Sequence, residues 1–189
     1  MASKFTRGLT PSQTVGPFFT TALTASDNNT FVSPVDNNVS GVGQKINLHG
    51  RVLDGNGNPI SDALIEIWQA DSEGNLTSTD FLGFARSDTS SNSESSYFFT
   101  TIKPGAVNES DAPHISVIVT MRGLLTHVYT RLYFSDELEA NQQDSVLNHV
   151  PENRRATLIA QRAENKLVPS YHFDIHMQGE NETVFFGGL

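Results

Sequence analysis

The sequence predicts an all-β protein built as a two-sheet β-sandwich. Several short segments alternate apolar and polar residues with a period of two, and turns rich in Gly, Pro, Asp and Asn separate them. Helical patterns occur only late in the chain, so we expect a short helical insertion near residues 136–163 instead of crossovers in a parallel sheet. The length of 189 residues is typical of one domain.

The strands are predicted from residue 45 onward. The first hairpin joins residues 46–52 to residues 63–68 through the turn Asp-Gly-Asn-Gly. A long polar excursion follows over residues 72–96. Further strands are predicted at 97–102, 114–119, 126–134, 170–178 and 182–186, and helices at 136–150 and 153–163. We therefore divide the chain into an N-terminal arm and irregular loop (1–44) and a sandwich domain (45–189).

Composition excludes several classes of function. Twelve basic and 21 acidic residues give a net charge of −9, which disfavours nucleic acid as a partner. The chain has no cysteine, so disulfides, thiolate metal sites and cysteine nucleophiles are excluded. We expect no membrane span and no secretory signal, and hence a cytoplasmic location.

The histidines and tyrosines invite a test for a metal site. Two ligands on one strand converge best at positions i and i+2, and His127 and Tyr129 have this spacing. His172 and His176 are too far apart along a strand. His114 begins a predicted strand, but its i+2 neighbour is Ser116, a poor ligand. The residues alone favour an ordinary polar strand face for His127 and Tyr129, and structural pairing with a carboxylate for Arg131.

A set of segments in fixed order resembles the intradiol ring-cleavage dioxygenases, and among them the α subunits of members that cleave protocatechuate (3,4-dihydroxybenzoate). The segments are Thr-Pro-Ser-Gln-Thr-Val-Gly-Pro at 10–17, Gly-Arg-Val-Leu-Asp-Gly-Asn-Gly at 50–57, Ile-Glu-Ile-Trp-Gln-Ala-Asp at 65–71, Thr-Ile-Lys-Pro-Gly at 101–105, Ala-Pro-His-Ile-Ser at 112–116, Thr-Arg-Leu-Tyr-Phe at 130–134, Phe-Asp-Ile at 173–175 and Gln-Gly-Glu-Asn-Glu-Thr-Val-Phe-Phe at 178–186. From Thr10 onward, only residues 24–43 and 72–96 fall outside the resemblance.

The resemblance implies that this chain has lost an iron site. Catalytic chains of the family hold non-haem Fe(III) with two Tyr and two His. Here His114 keeps one ligand position, whereas Ser116 and Val107 stand where a His and a Tyr would be, and no Tyr lies within residues 72–90. These are the vestigial ligand positions. One imidazole cannot hold Fe(III), so no metal ligand and no catalytic residue is expected in this chain.

The resemblance also implies a role in a hetero-oligomer of αβ protomers. A β subunit would bind the Fe(III), and protocatechuate would react there with O2 to give 3-carboxy-cis,cis-muconate in the β-ketoadipate pathway. The N-terminal arm would pack on this partner. Thr14, Gly16, Pro17 and Arg131 would line the substrate pocket, while Phe18 stands where the family often has Tyr.

Two other interpretations remain open at this stage. The chain could be an autonomous intradiol dioxygenase with a rebuilt iron site that uses His127 and Tyr129. It could also be a non-catalytic β-sandwich binding module.

Overall fold

The computed structural model describes residues 9–16, 18–24, 41–77, 81–91, 93–164 and 166–187. Nine strands in these ranges form one continuous sheet that folds back on itself as a sandwich. The strands are β1 (Lys45–Leu53), β2 (Ala63–Gln69), β3 (Phe84–Asp88), β4 (Ser96–Ile102), β5 (His114–Met121), β6 (Val128–Phe134), β7 (Ile159–Arg162), β8 (Ser170–His172) and β9 (Ile175–His176). Their order is β3-β2-β5-β6-β7-β8-β1-β4, with β9 beside β1.

Strand alternation builds the core. On β5, Ile115, Val117 and Val119 are buried in the main apolar cluster, while the residues between them face the other way. β5 is paired antiparallel to β2 on one side and to β6 on the other. The period-two pattern of the sequence therefore sets which side chains enter the core, and the predicted fold class is confirmed.

The sandwich closes along a parallel seam between β1 and β8. Gly50 lies in the middle of β1, and the chain after β8 passes directly over it. The Phe173 backbone N–H donates to the His49 carbonyl at 2.9 Å, and the Tyr97 hydroxyl donates to the Phe173 carbonyl. A β-carbon added at Gly50 would lie 1.9 Å from the Phe173 oxygen. The close approach requires glycine at this position.

The helical insertion is shorter than the sequence predicts. It contains α2 (Leu138–Gln143), α3 (Ser145–His149), α4 (Glu152–Arg155) and a 3-10 helix (Ala156–Leu158). The buried Asp144 carboxylate caps α3 by accepting from the Leu147 N–H at 2.6 Å. The prediction of helix up to residue 163 is wrong, because residues 159–162 form β7 between β6 and β8. Pairing with two strands overrides local helix propensity there.

Other boundaries also differ from the prediction. β3 lies inside the excursion over residues 72–96, and the predicted strand 170–178 is divided into β8 and β9. Instead of a strand at 182–186, an isolated bridge joins Phe186 to Tyr129. The arm contains a helix not predicted from sequence, α1 (Phe19–Thr24). Most of the predicted loop after it lies outside the described residues, and the division at residue 44 stays a prediction.

The helices of the described ranges are short. The longest, α1 and α2, have six residues each. None of the helices within these ranges has the length and hydrophobicity needed to cross a membrane.

Gly50→Ala tests the seam. The new methyl group would overlap the Phe173 carbonyl, so the seam must open or the strand must shift. We expect a loss of about 3 kcal/mol in the free energy of unfolding, measured by urea denaturation. Gly187→Ala is the matched control, because a β-carbon there meets no atom within 4 Å. Equal stability of the two variants would contradict the close approach at Gly50.

Candidate functional site

One row of side chains crosses four neighbouring strands on the outer face of the sheet. Ser116 on β5 lies directly opposite Trp68 on β2 and Arg131 on β6, and Trp68 lies opposite Phe84 on β3. Directly opposed residues in antiparallel strands point to the same side. The register therefore places Arg131, Ser116 and Trp68 on the face opposite to the main core.

A cavity of about 560 Å³ lies over part of this row. Its described lining includes His114, Ser116 and Val107, the three positions that the resemblance predicts to be vestigial ligand positions. The sequence prediction thus names residues that the fold brings together. The rest of the described lining is mainly apolar, and it consists of Trp68, Gln69, Ala70, Leu76, Thr77, Phe81, Leu82 and Gly83.

Two packed turns bring Val107 to the cavity. The Asp71 carbonyl accepts from the Gly105 N–H at 2.8 Å, so the segment before Val107 lies against the turn after β2. Gly74 has φ of +89°, and a β-carbon there would lie 2.0 Å from the Ala106 oxygen. Only glycine allows this approach, which fixes the position of the chain that carries Val107.

His114, in the cavity lining, has one ring nitrogen that can accept a hydrogen bond. Its Nδ1 lies 2.9 Å from the Ala112 carbonyl, which can only accept a hydrogen bond. Nδ1 therefore carries the hydrogen and Nε2 carries the lone pair. Burial lowers the pKa of His114, and the positive charge of Arg131 adds to this effect. The ring is neutral at pH 7.

Arg131 is a positive charge without a carboxylate partner within ion-pair distance in the described part of the chain. Its Nε and Nη1 atoms are buried and have no hydrogen-bond partner among those residues. Burial raises the pKa of the neighbouring Tyr133, and Arg131 opposes that shift. The Tyr133 hydroxyl donates to the Asp144 carboxylate at 3.0 Å. Asp144 therefore bonds to Tyr133 and forms no ion pair with Arg131. Among the described residues, the carboxylate pairing that the sequence favours for Arg131 does not occur.

The residues at the cavity do not fit a ferric ion. His114 supplies one nitrogen donor, while Val107 has no donor atom and Ser116 has only a neutral hydroxyl. The described residues contain no cluster of three or more His, Asp or Glu side chains that could hold a metal.

The other histidine candidates form local contacts. The His127 Nε2 and the Tyr129 hydroxyl are 2.6 Å apart and bond to each other at a partly exposed position. His172 pairs with Asp174 at 3.0 Å, on a different strand from His176. Neither pair belongs to the cavity.

The structure brings the N-terminal arm to a different place from Arg131. The Thr14 hydroxyl accepts from the Gly123 N–H at 2.8 Å, in the turn between β5 and β6. Arg131 lies in mid-strand opposite Ser116. Gly16 has φ of +77° with open space around it, and Pro17 lies outside the described residues.

Arg122 directly precedes Gly123, the residue that Thr14 contacts, and no motif in the sequence singles it out. Its Nε lies 2.9 Å from Asp62, and 59% of its side chain is exposed. The one signal in the sequence is that Arg122 precedes a glycine between two predicted strands, where a tight turn is expected. In the structure Gly123 has φ of +97°, which is typical of such a turn. Sequence alone does not show that the arm crosses this turn.

Comparison with known proteins places the chain in a family. The family model described as Dioxygenase matches residues 14–179. The chain is 43% identical to a protocatechuate 3,4-dioxygenase alpha chain from Burkholderia cepacia, with 94% of this chain and 96% of that protein covered. This chain belongs to the intradiol ring-cleavage dioxygenase family.

Two further comparisons give a related sequence and a solved structure with the same fold. A protocatechuate 3,4-dioxygenase beta chain from B. cepacia is 32% identical over 75% of this chain and 68% of its own. The solved structure of an intradiol ring-cleavage dioxygenase from Tetranychus urticae superposes with a TM-score of 0.62 at 16% identity, covering 93% of this chain and 98% of that chain. The latter shows the shared fold. The intradiol dioxygenases depend on non-haem iron, and the cavity described above lacks the donors to hold it.

His114 makes stability depend on pH. Its folded pKa is below the ordinary 6.5, so the unfolded chain takes up a proton more readily. The contribution of neutral His114 is complete above pH 6.5 and is lost as the pH falls from 6.5 through the folded pKa. We expect His114→Gln to show a shallower loss of stability between pH 7 and 5 in urea unfolding. His127→Gln, at an exposed position, is the control, and identical slopes for His114→Gln and the natural chain would contradict this assignment.

Proposed function

We propose that this chain is the α subunit of a protocatechuate 3,4-dioxygenase and that it acts without iron of its own. The identity of 43% extends over nearly the whole length of an α chain, whereas the β-chain match is 32% over less of both proteins. The observation that carries the proposal is the cavity at His114, Ser116 and Val107, where one of three ligand positions keeps a donor suited to iron. Such a chain needs an iron-bearing partner to take part in ring cleavage.

The proposed partner is a β subunit that holds Fe(III), with αβ protomers assembled into a hetero-oligomer. Protocatechuate and O2 would react at the iron of that subunit to give 3-carboxy-cis,cis-muconate, a cytoplasmic step of the β-ketoadipate pathway. The Fe(III) would act as a Lewis acid toward the catechol. The contribution of this chain is to form walls that orient the substrate and exclude water.

The proposed walls come from the N-terminal arm, which belongs to the segment 1–44. Thr14 offers a hydroxyl, and the open space around Gly16 allows another molecule to approach the backbone closely. Pro17 is the next residue in the sequence and is part of the same proposal. For the accompanying cation, Arg131 is the sequence prediction, whereas Arg122 is the exposed arginine that precedes Gly123, the residue in contact with Thr14. We propose Arg122 for this role, and the role of Arg131 stays a prediction that the second experiment below tests.

The first experiment compares the isolated chain with its complex. We expect the purified chain to hold no stoichiometric iron and to leave protocatechuate unchanged, and the complex co-produced with a β chain to cleave it. Metal analysis and loss of substrate absorbance are the measurements. Ring cleavage and bound iron in the isolated chain would instead indicate a rebuilt autonomous site. Failure to bind any iron-bearing β chain would indicate a binding module.

The second experiment separates the two arginines in the active complex. A charge-assisted contact to the anionic substrate contributes about 1.5–3 kcal/mol, so Arg122→Gln should lower kcat/KM about 10- to 100-fold with the iron content unchanged. Arg131→Gln should change kcat/KM less than about threefold. The reverse order of effects would support Arg131 as the pocket residue and reject Arg122.

A further inference from the structure

The turn of the first hairpin carries the dipeptide Asn56-Gly57, which occurs once in the sequence. Both residues are exposed. Gly57 has φ of +80°, and a β-carbon built on it meets no atom within 4 Å. Because glycine has no β-carbon, its backbone nitrogen approaches the side chain of the preceding residue with little steric hindrance. The turn therefore combines a side-chain amide, a neighbouring backbone N–H and open space.

The chain builds this turn twice, over residues 54–58 and over residues 71–75. In both turns the first carboxylate accepts from the backbone N–H groups two and four residues later, at 2.9 and 2.8 Å. In both, a glycine of positive φ donates to the carbonyl of the first residue, at 3.0 Å for Gly57 and 3.2 Å for Gly74. The turns share one hydrogen-bond pattern, in which Asn56 and Glu73 occupy equivalent positions.

Packing distinguishes the two turns. Gly74 is buried, and a β-carbon there would lie 2.0 Å from the Ala106 oxygen. The Gly105 N–H donates to the Asp71 carbonyl at 2.8 Å, so the segment after β4 holds the second turn from outside. Nothing in the described part of the chain restrains Gly57 in this way. The first turn can change its conformation at Gly57 without displacing a neighbour, whereas the second turn cannot do so at Gly74.

The other two candidate groups of the first turn are held or lack a nucleophile. The Asp54 carboxylate accepts from the backbone N–H of Asn58 at 2.8 Å and from its Nδ2 at 3.2 Å. These hydrogen bonds lower the pKa of Asp54, so it stays an ionised carboxylate, which is a poor electrophile. Asn58 precedes Pro59, which has no backbone N–H. Asn56 is thus the reactive side chain of this turn.

We propose that Asn56 is a deamidation site, at which the folded chain converts without an enzyme to aspartyl and isoaspartyl forms. The Gly57 nitrogen loses its proton to solvent base and attacks the side-chain carbonyl carbon of Asn56. A carbon–nitrogen bond forms there, the bond to the amide nitrogen breaks, and ammonia leaves with a proton from water. Water then opens the resulting cyclic imide at either carbonyl. The reaction consumes only water, and it goes beyond the proposed function.

The two products differ in their effect on the turn. The equivalent position of the second turn is occupied by Glu73, so a carboxylate at residue 56 is compatible with this hydrogen-bond pattern. The isoaspartyl form adds a methylene group to the main chain before Gly57. This shifts the N–H groups of Gly57 and Asn58 away from the Asp54 oxygens that accept from them. Both products add a negative charge to a chain whose net charge is −9, so ion exchange separates them from the natural chain.

The test compares the natural chain with Glu73→Asn, which creates the same dipeptide in the packed turn. Both folded proteins are incubated at mildly alkaline pH, and the conversion of each site is followed by peptide mass spectrometry and by isoaspartyl methyltransferase labelling. We expect Asn56 to be converted in the folded chain. Position 73 of the variant should react at least about tenfold more slowly, because it reacts only after local opening of the segment packed on it. In urea the two sites should react within about twofold of each other.

Asn56→Gln is the control for the assignment and should remove the acidic species seen by ion exchange. The proposal is overturned if Asn56 stays intact in the folded chain while it reacts in urea, or if position 73 of folded Glu73→Asn reacts as fast as Asn56. Should Glu73→Asn fail to fold by circular dichroism, the natural chain decides. A rate at Asn56 in the folded chain within about tenfold of that in urea supports the proposal, and a stronger suppression rejects it. The measurement needs neither iron nor a partner, so its outcome is independent of whether a β subunit completes an active enzyme.

Discussion

The pairing of β5 on both of its edges is the constraint on which the rest of the structure depends. With β2 and β6 fixed antiparallel on either side, the pleat leaves one choice of which residues face the core. Ile115 and Val117 enter the core, and His114 and Ser116 are turned outward. A slip of one residue would bury His114 and expose the isoleucine, so the core and the cavity are specified by the same register.

The outer face of the sheet carries a closed apolar cluster on one side and an open cavity on the other. Tyr133, opposite His114, is completely buried in a second apolar cluster beneath the helical insertion, together with Leu147 and Leu158. Asp144 joins these parts, because it caps α3, accepts from the Ala112 N–H and accepts from the Tyr133 hydroxyl. The insertion therefore covers one side of the row, and the cavity remains on the other side. This arrangement explains why one strand can carry both a closed cluster and an open site.

The lack of an iron donor set in the described lining of the cavity affects both the charge and the chemistry of this site. A catalytic iron centre would place a cation beside these positions, whereas here the main charge is the guanidinium of Arg131. A neutral His114 and a neutral Ser116 next to it cannot act as redox or Lewis-acid groups. What they can do is accept and donate hydrogen bonds, which suits recognition of a ligand. The family fold is thus kept, while the described lining of this cavity lacks the donor set that a ferric ion needs.

The sequence by itself determined the all-β class and the positions of the long strands, and its resemblance to a family predicted the set of vestigial ligand positions. These follow from local patterns, namely period-two alternation and short motifs such as Ala-Pro-His-Ile-Ser, which need no knowledge of distant residues. Only the tertiary structure decided that residues 159–162 are a strand, that Thr14 contacts the turn at Gly123, and that Arg131 stands opposite Ser116 with no carboxylate at ion-pair distance among the described residues. Each of these depends on contacts between segments that are far apart in the chain. The free energy of such contacts exceeds that of local propensity, and the contacts produce no periodic pattern or motif in the sequence.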